Sequence, residues 1–413
     1  AAIPPARELM KDWSAIRRRF KLDPGISNFA TLVVASHPAP VRHAIAKHRS
    51  ALDVQSHTYF AAAAAEYRDR ALMAAGAYFG VHHGLVALTH STTMGLAQIL
   101  GGIRVEKGWE IVTSENEHPA TVETLAARNE RDGTNFRQAP LWSAGRTASI
   151  DEILTRTREA LTPSTRVLTL SWVNSSDGVK VPVRLIADIV ADVNRGRTEP
   201  HERLLFVVDG VHGFGIEAST FAELGCDVFV SGTHKSIFGP RGTAVIYGTA
   251  EAWGQVAPWT AKLSGANHGP ASRHTPGGVK AYEHWWSLNE AFELHLRELG
   301  KHEIEKEVHR QAAYLKARLN DAGPAISVIT PDSTELSSGI VCLDVGDRRA
   351  DAVLDQLAAV DILASESATD RNAGRTHVRM AVSILTTNAE IDHAVACLTA
   401  ISNGTALPVR SAP

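Results

Sequence analysis

The chain has 413 residues, 44% of them hydrophobic and 21% charged, with a formal net charge of −3. That is long for one core and fits a large domain with a smaller one, while the near-neutral charge without a basic block argues against nucleic acid or an anionic membrane surface as partner. Cys226, Cys342 and Cys397 are widely spaced in apolar runs, giving neither a disulfide framework nor metal-ligand spacing, and no apolar stretch reaches the roughly 18 residues of a membrane span, so small-molecule chemistry is favoured.

Residues 1–26 open with Pro4-Pro5 and then run from Glu8 to Arg19 with Met10, Trp13, Ile16 and Phe20 at helical spacing, which predicts an amphipathic helix packed on the body. Ser27-Asn28-Phe29-Ala30 begins an apolar segment that ends at Ser36-His37-Pro38, and Pro40 starts a helix through Ser50. Thr58-Tyr59-Phe60 precedes the alanine run 61–65, whose high helix propensity carries a helix on to Phe79; His57 and Tyr59 read either as substrate-facing or as packing at the helix start. From there strands and helices alternate. Strands are predicted at 85–89, 110–114, 135–138, 167–171, 204–208, 228–231 and 243–247, with helices at 93–103, 120–131, 150–161 and 183–194 among them. The pattern predicts an α/β fold whose mostly parallel sheet is covered on both faces.

The Trp-, Gly-, His- and Pro-rich stretch 249–290 breaks the alternation, and 288–319 reads as one long charged helix. Strands at 326–329, 339–344, 362–364 and 378–382 and helices at 350–359 and 388–400 then form a C-terminal α/β unit. The domain expectation is a packing segment 1–26, a large domain 27–290, a small domain 291–401 and a tail 402–413.

Chemistry concentrates at the strand ends. The sixth strand delivers Ser231-Gly232-Thr233-His234-Lys235, followed by Gly-Pro-Arg-Gly, and the fifth ends on Asp209-Gly210-Val211-His212. α/β enzymes place their chemistry at such ends. An aldehyde cofactor with a pyridine ring needs this pair: an amine to hold its carbonyl as an imine and a carboxylate to keep its ring nitrogen protonated. The plain alternative is a solvated loop lysine. Thr89-His90-Ser91-Thr92-Thr93-Met94-Gly95 follows the first strand, and hydroxyl residues at a helix N-terminus suit a phosphate, although Ser-Thr-Thr is also an ordinary helix cap. Glu115-Asn116-Glu117-His118-Pro119-Ala120 follows the second.

Together these motifs resemble the class V aminotransferases, pyridoxal 5′-phosphate (PLP) enzymes of fold type I, and most closely their isopenicillin N epimerase-like branch, which includes a periplasmic pyoverdine-tailoring enzyme and lincosamide-pathway enzymes. The resemblance runs from about Ser27 to Ala394 and implies a large PLP-binding domain, a smaller C-terminal α/β domain, and a homodimer with shared active sites. It implies that Thr92 and Thr93 bind the phosphate, that His118 stacks on the pyridine ring and helps move protons, and that Asp209 pairs with the ring nitrogen. His212 would reach the cofactor hydroxyl; where relatives carry an asparagine that reaches that hydroxyl or the substrate carboxylate this chain has Ser175, with Asn174, one residue earlier, as the substitute that would bind substrate. Thr233 and His234 would contact phosphate, Lys235 would hold the cofactor and act as the base, and Thr275 in Thr-Pro-Gly-Gly would reach the neighbouring subunit's phosphate. Arg379 would clamp the substrate carboxylate, against the alternative of a salt-bridged surface arginine. Asn28 and residues 30–33 would shape the substrate pocket, or else form a plain strand and loop.

The resemblance leaves the reaction open. Cysteine desulfurases need a reactive cysteine on a mobile loop of the small domain, and the stretch 363–375 has none. The expectation is PLP-dependent change at Cα of an amino-acid moiety in natural-product tailoring, by decarboxylation with oxidative deamination or by transamination, with a C–S lyase or an epimerase as alternatives. A dinucleotide-binding oxidoreductase would require Gly-x-Gly-x-x-Gly after the first strand, and a non-catalytic relative would be expected to have lost Lys235. The chain starts Ala1-Ala2 without methionine, which fits a cleaved export signal or a trimmed chain. Periplasmic export in the folded state is therefore one expectation, with a cytoplasmic location as the other.

Overall fold

The computed structural model describes residues 11–261 and 269–408. Strand β1 (Ser27–Asn28) stands apart from the seven strands of the large sheet. These are β2 (Val86–Thr89), β3 (Glu110–Ser114), β4 (Asn135–Ala139), β5 (Thr165–Ser171), β6 (Leu205–Asp209), β7 (Val228–Gly232) and β8 (Ala244–Gly248), in spatial order β2-β8-β7-β6-β5-β3-β4. The ladders from β4 through β7 are parallel, and β8 runs antiparallel to both of its neighbours. The connection 233–243 explains the exception: it carries no helix, and a parallel return needs a crossover of about a dozen residues or more.

Alternation along each strand sorts side chains to two cores. Leu88, Leu168, Leu170, Phe206, Val208, Phe229 and Tyr247 face one of them, together with the helices Ser56–Phe79 and Val183–Asn194. Ala87, Val167, Leu205, Val207, Val228, Val230 and Ile246 face the other, under the helix Thr92–Gly102. That helix lies tight on the sheet at Gly95, where a Cβ would come within 2.5 Å of Val230.

A second body is built on β9 (Ile326–Val328), β10 (Ile340–Val345), β12 (Ser365–Glu366) and β13 (Val378–Ala381), an antiparallel sheet in the order β12-β13-β10-β9. Strand β11 (Ile362–Leu363) instead pairs in parallel with β1. Phe20, Phe29 and Ala35 join this second core, while Leu32 between them packs into the core of the large sheet.

The helix expected over 288–319 is interrupted. Leu288–Leu294 passes into a π turn (His295–Leu299), Gly300 takes the left-handed φ of 77° that ends it, and a new helix spans Lys301–Asp321. The N-terminal helix is short, Trp13–Arg17, and Met10 with the residues before it lies outside the described residues, as does the end of the tail beyond 408. His57 and Tyr59 lie within the helix Ser56–Phe79, where the Tyr59 hydroxyl meets Nδ1 of buried His48 at 2.9 Å in a packing cluster with Trp286. No helix among the described residues is long and apolar enough to cross a membrane.

Glu217 ties the two bodies together. Its carboxylate accepts from Lys180 Nζ (2.7 Å), His309 Nε2 (2.9 Å) and the Ser338 hydroxyl. Burial pushes this carboxyl up, but His309 and Lys180 outweigh it and hold the group below the ordinary glutamate value. The stabilisation is therefore full above the ordinary glutamate range and is lost as pH falls through the lowered folded value. Glu217→Ala, which strands a half-buried lysine, is expected to cost about 3–5 kcal/mol in urea unfolding at neutral pH, a gap that closes at acid pH.

Candidate active site

Five strand ends, those of β2, β3, β5, β6 and β7, and one reach from the small sheet converge. The strand order reverses between β3 and β5, the place where open α/β sheets leave a crevice at their carboxyl ends. A cavity of about 250 Å³ lies there, lined by Ser91, Thr92, Thr93, His118, Ala120, Ser171, Ser175, Asp209, Val211, His212, His234 and Lys235.

At the end of β2, Ser91 caps the helix Thr92–Gly102 by accepting from the Met94 N–H (3.1 Å). The Thr92 hydroxyl accepts from the Gly232 N–H (2.8 Å), which fixes this helix start to the end of β7. The first-turn N–H groups and the hydroxyl protons of Thr92 and Thr93 are thereby presented at the cavity wall, as an anion requires.

His118 follows β3 and is both a cap and a cavity wall. Its Nδ1 accepts from the Ala120 N–H (3.1 Å), so the neutral ring carries its proton on Nε2. Burial, helped by the charges of Lys235 and Arg379, holds its pKa down to about 4. His212 and His234 are likewise kept neutral, first by burial and then by Lys235, His234 at about 4 and His212 well below the ordinary value.

Asp209 ends β6 and Lys235 follows the neighbouring strand β7; both line the same cavity and, among the described residues, they make no ion pair. Asp209 is only 5% exposed, and among the described residues its one side-chain hydrogen bond comes from the Val211 N–H (3.1 Å). Burial lifts its pKa to about 6 despite that bond and Lys235, while burial lowers Lys235 to about 8 despite Asp209. Gly210 is required beside this carboxylate, since a Cβ there would lie 1.8 Å from the Phe229 ring. The turn after Lys235 is closed by Phe238 N–H to the Lys235 carbonyl (2.9 Å) and Gly239 N–H to the Thr233 carbonyl (2.7 Å). Phe238 adopts φ 57°, unusual for a residue with a Cβ, and is held by Phe20 and His295.

Arg379 enters from β13. Its Nε donates to Ser365 Oγ (3.1 Å) and its Nη1 to the carbonyl of Ser175 in the cavity wall (3.3 Å). Among the described residues it has no carboxylate partner, and burial lowers its pKa. A guanidinium held in this way keeps N–H donors available to an anion.

Four expected residues are placed elsewhere. The Thr233 hydroxyl is buried and tied to the Thr243 carbonyl (3.0 Å) and hydroxyl, so it closes the turn and does not line the cavity. Thr275 accepts from the Leu88 N–H (3.1 Å) on the edge of β2 and lines a different, aromatic depression with Trp285 and Trp286. Asn28 is exposed, accepts from the Ala30 N–H (2.8 Å) and lines another surface hollow with Leu363 and Leu385. Asn174 is buried with both amide atoms unpartnered, but it is not on the cavity wall; Ser175, whose hydroxyl is also unpartnered, is. Sequence reasoning passed over Ser91, Ser171 and Glu117. Strand-end position would have found Ser171, and Glu117 was within the quoted motif.

Residues 42–393 match the family Aminotransferase class-V. Isopenicillin N epimerase of Streptomyces clavuligerus is 24% identical over 349 residues, covering 80% of this chain and 83% of that protein. Probable cysteine desulfurases of Pseudomonas putida and Mycolicibacterium paratuberculosis are 30% and 29% identical over 177 and 164 residues. These stretches cover 42% and 40% of this chain, but only 40% and 22% of those proteins. A solved C-DES mutant with glycine covalently linked to its PLP cofactor superposes with a TM-score of 0.81 at 20% identity, over 93% of this chain and 98% of that one. The apo cysteine desulfurase of Thermococcus onnurineus NA1 gives 0.80 at 16%, over 95% and 98%.

In protein free of any ligand, the Lys235 amine is expected to become reactive with a midpoint near pH 8 instead of the ordinary 10.5. Asp209→Asn should move that midpoint lower still, because Asp209 is what opposes the burial. The pH dependence of Lys235 acetylation, read by mass spectrometry of its peptide, checks both; a midpoint that rises in Asp209→Asn contradicts the assignment.

Proposed function

We propose that this chain, which belongs to the class V aminotransferase family and is a PLP-dependent enzyme of it, transforms the amino-bearing carbon of an amino-acid moiety in natural-product tailoring, by decarboxylation with oxidative deamination or by transamination. The observation that carries the reading is the pair Asp209 and Lys235, oppositely charged, buried and unpaired at one cavity. The cofactor, when bound, supplies a conjugated ring that withdraws electrons from the substrate carbon.

The chain's own residues divide the remaining work. Ser91, Thr92 and Thr93 would hold the phosphate at the helix N-terminus, with His234 beside them. Asp209 would keep the ring nitrogen protonated, His118 would lie against the ring, and His212 and Ser175 would face its hydroxyl. Arg379 would orient the substrate by its carboxylate, and Lys235, at a pKa of about 8, is suited to take a proton from the substrate carbon and return it elsewhere. A homodimer with shared sites is part of the proposal. Thr275 lies away from its own protomer's cavity and still has a hydroxyl proton to donate, which fits service to a second copy's phosphate.

Desulfuration is not proposed. All three cysteines are buried, and burial pushes the thiols of Cys226 and Cys342 well above the ordinary range. The likeness to isopenicillin N epimerase over 80% of the chain supports an amino-acid unit within a larger molecule as substrate.

Product analysis with amino acids and amino-acid-containing peptides tests the reaction. Carbonyl product with oxygen uptake or amino transfer fits the proposal, whereas thiol release from cysteine conjugates, or inversion alone, would replace it with a lyase or an epimerase. Arg379→Ala is expected to raise the half-saturating substrate concentration by roughly 10–100-fold, the worth of a charged hydrogen-bond pair, with a smaller effect for substrates lacking the carboxylate.

A further inference from the structure

Glu117 is a buried carboxylate that the proposed function leaves unused. It does not line the cavity, and every group that meets it is a donor. Oε2 accepts from the Ser171 N–H (2.9 Å), Oε1 accepts from the His118 N–H (3.1 Å), and the Ser171 hydroxyl also donates to Oε1. The Thr113 hydroxyl lies 3.4 Å from Oε2 but already donates to the Thr169 carbonyl at 2.8 Å. Among the described residues Glu117 has no cation partner; the charge acting on it is that of a second buried carboxylate, Asp209. Ser171 links the two. It is the register partner of Asp209 across β5 and β6, and both line the cavity. Two buried carboxylates this close in structure resist being ionised together.

We propose that Glu117 is a proton-holding positioning residue that acts on the cofactor site through Ser171. With Glu117 ionised, the Ser171 hydroxyl donates to Oε1. With a proton on Oε1, that proton is donated to Ser171 Oγ, and the serine hydrogen turns toward the cavity beside Asp209. The inference rests on the PLP reading above: a protonated ring nitrogen on Asp209 favours the ionised form of Glu117, so loading expels the Glu117 proton to solvent. No other bond changes.

The groups facing Glu117 bear this out. Strand β6 presents Asp209, its own segment presents the His118 N–H, and β3 and β5 present no titratable group, only the Thr113 hydroxyl and the hydroxyl and N–H of Ser171. Burial, with the Asp209 charge adding to it, lifts the Glu117 carboxyl to about 7 in spite of the Ser171 donor.

Infrared difference spectra of cofactor-stripped protein against pH, followed by titration with PLP in weak buffer, test the proposal in wild type, Glu117→Gln and Ser171→Ala. The wild type is expected to show a buried carboxylic-acid band whose component with a midpoint near 7, above those of Asp209 and Asp177 at about 6, is missing in Glu117→Gln. In Ser171→Ala, the second variant should Glu117→Gln not fold, the midpoint should rise because a donor to the carboxylate is lost. On adding PLP near neutral pH, the wild type should release about half a proton more than Glu117→Gln, the fraction held by a group titrating there. Absence of that component, or its persistence in Glu117→Gln, overturns proton holding whether or not PLP binds. Equal proton release overturns the coupling to the cofactor, and an unmoved midpoint in Ser171→Ala overturns the route through the serine. Failure of the wild type to bind PLP overturns the functional reading and the coupling together, while the infrared band still decides the proton.

Discussion

Two opposite charges, Asp209 and Lys235, are held out of water at neighbouring strand ends without touching. Taking an ion out of water costs several kcal/mol even after relaxation, and direct contact would recover part of it. The fold prevents that contact. Asp209 is fixed by the β5–β6–β7 register and by the closeness of Gly210 to Phe229, and Lys235 by a turn closed at both sides. The energy for this arrangement comes from the apolar cores on either face of the large sheet, to which strands β5 to β8 contribute on alternate residues. A ligand carrying charges to match both groups would then bind and stabilise the fold at once.

The same economy of position governs the rest of the cavity. Thr92 anchors its helix to the end of β7, and His118 caps the next helix with one nitrogen while the other keeps its proton. The small sheet supplies Arg379, so the proposed substrate clamp depends on how that sheet is fixed to the large one. Several contacts set this: Glu217 with Lys180 and His309, the Arg371 N–H on Asn116 Oδ1 (3.1 Å), and Asn372 Nδ2 on the Trp142 carbonyl (3.1 Å). Asn116 stands two residues before His118, which puts the proposed clamp and the proposed ring wall in one hydrogen-bonded framework.

Strand ends were the most legible part of the sequence, because a buried parallel strand is a continuous apolar run and the polar residue that stops it sits at the sheet's edge. Asp209, Lys235, His118 and Thr92 were read in this way. Side-chain direction within a turn was not legible. Thr233 differs from His234 only in which way it points, and the neighbouring Thr243 claims its hydroxyl. Asn28 and Thr275 were carried by the family resemblance, but within one protomer each serves a local backbone group. Gly300 in a long polar helix was an available signal for the break at the π turn, outweighed by helical periodicity on both sides. Glu117 was hidden because burial of a carboxylate depends on contacts from β5 and β6 that are distant in sequence.

The central claim is that Lys235 is the amine that holds a PLP carbonyl. Purified protein supplied with PLP, reduced with borohydride and digested, answers it by mass spectrometry. A stable phosphopyridoxyl adduct is expected on the peptide containing Lys235 and none in Lys235→Ala. An adduct on another lysine, or none on the wild type, would contradict it.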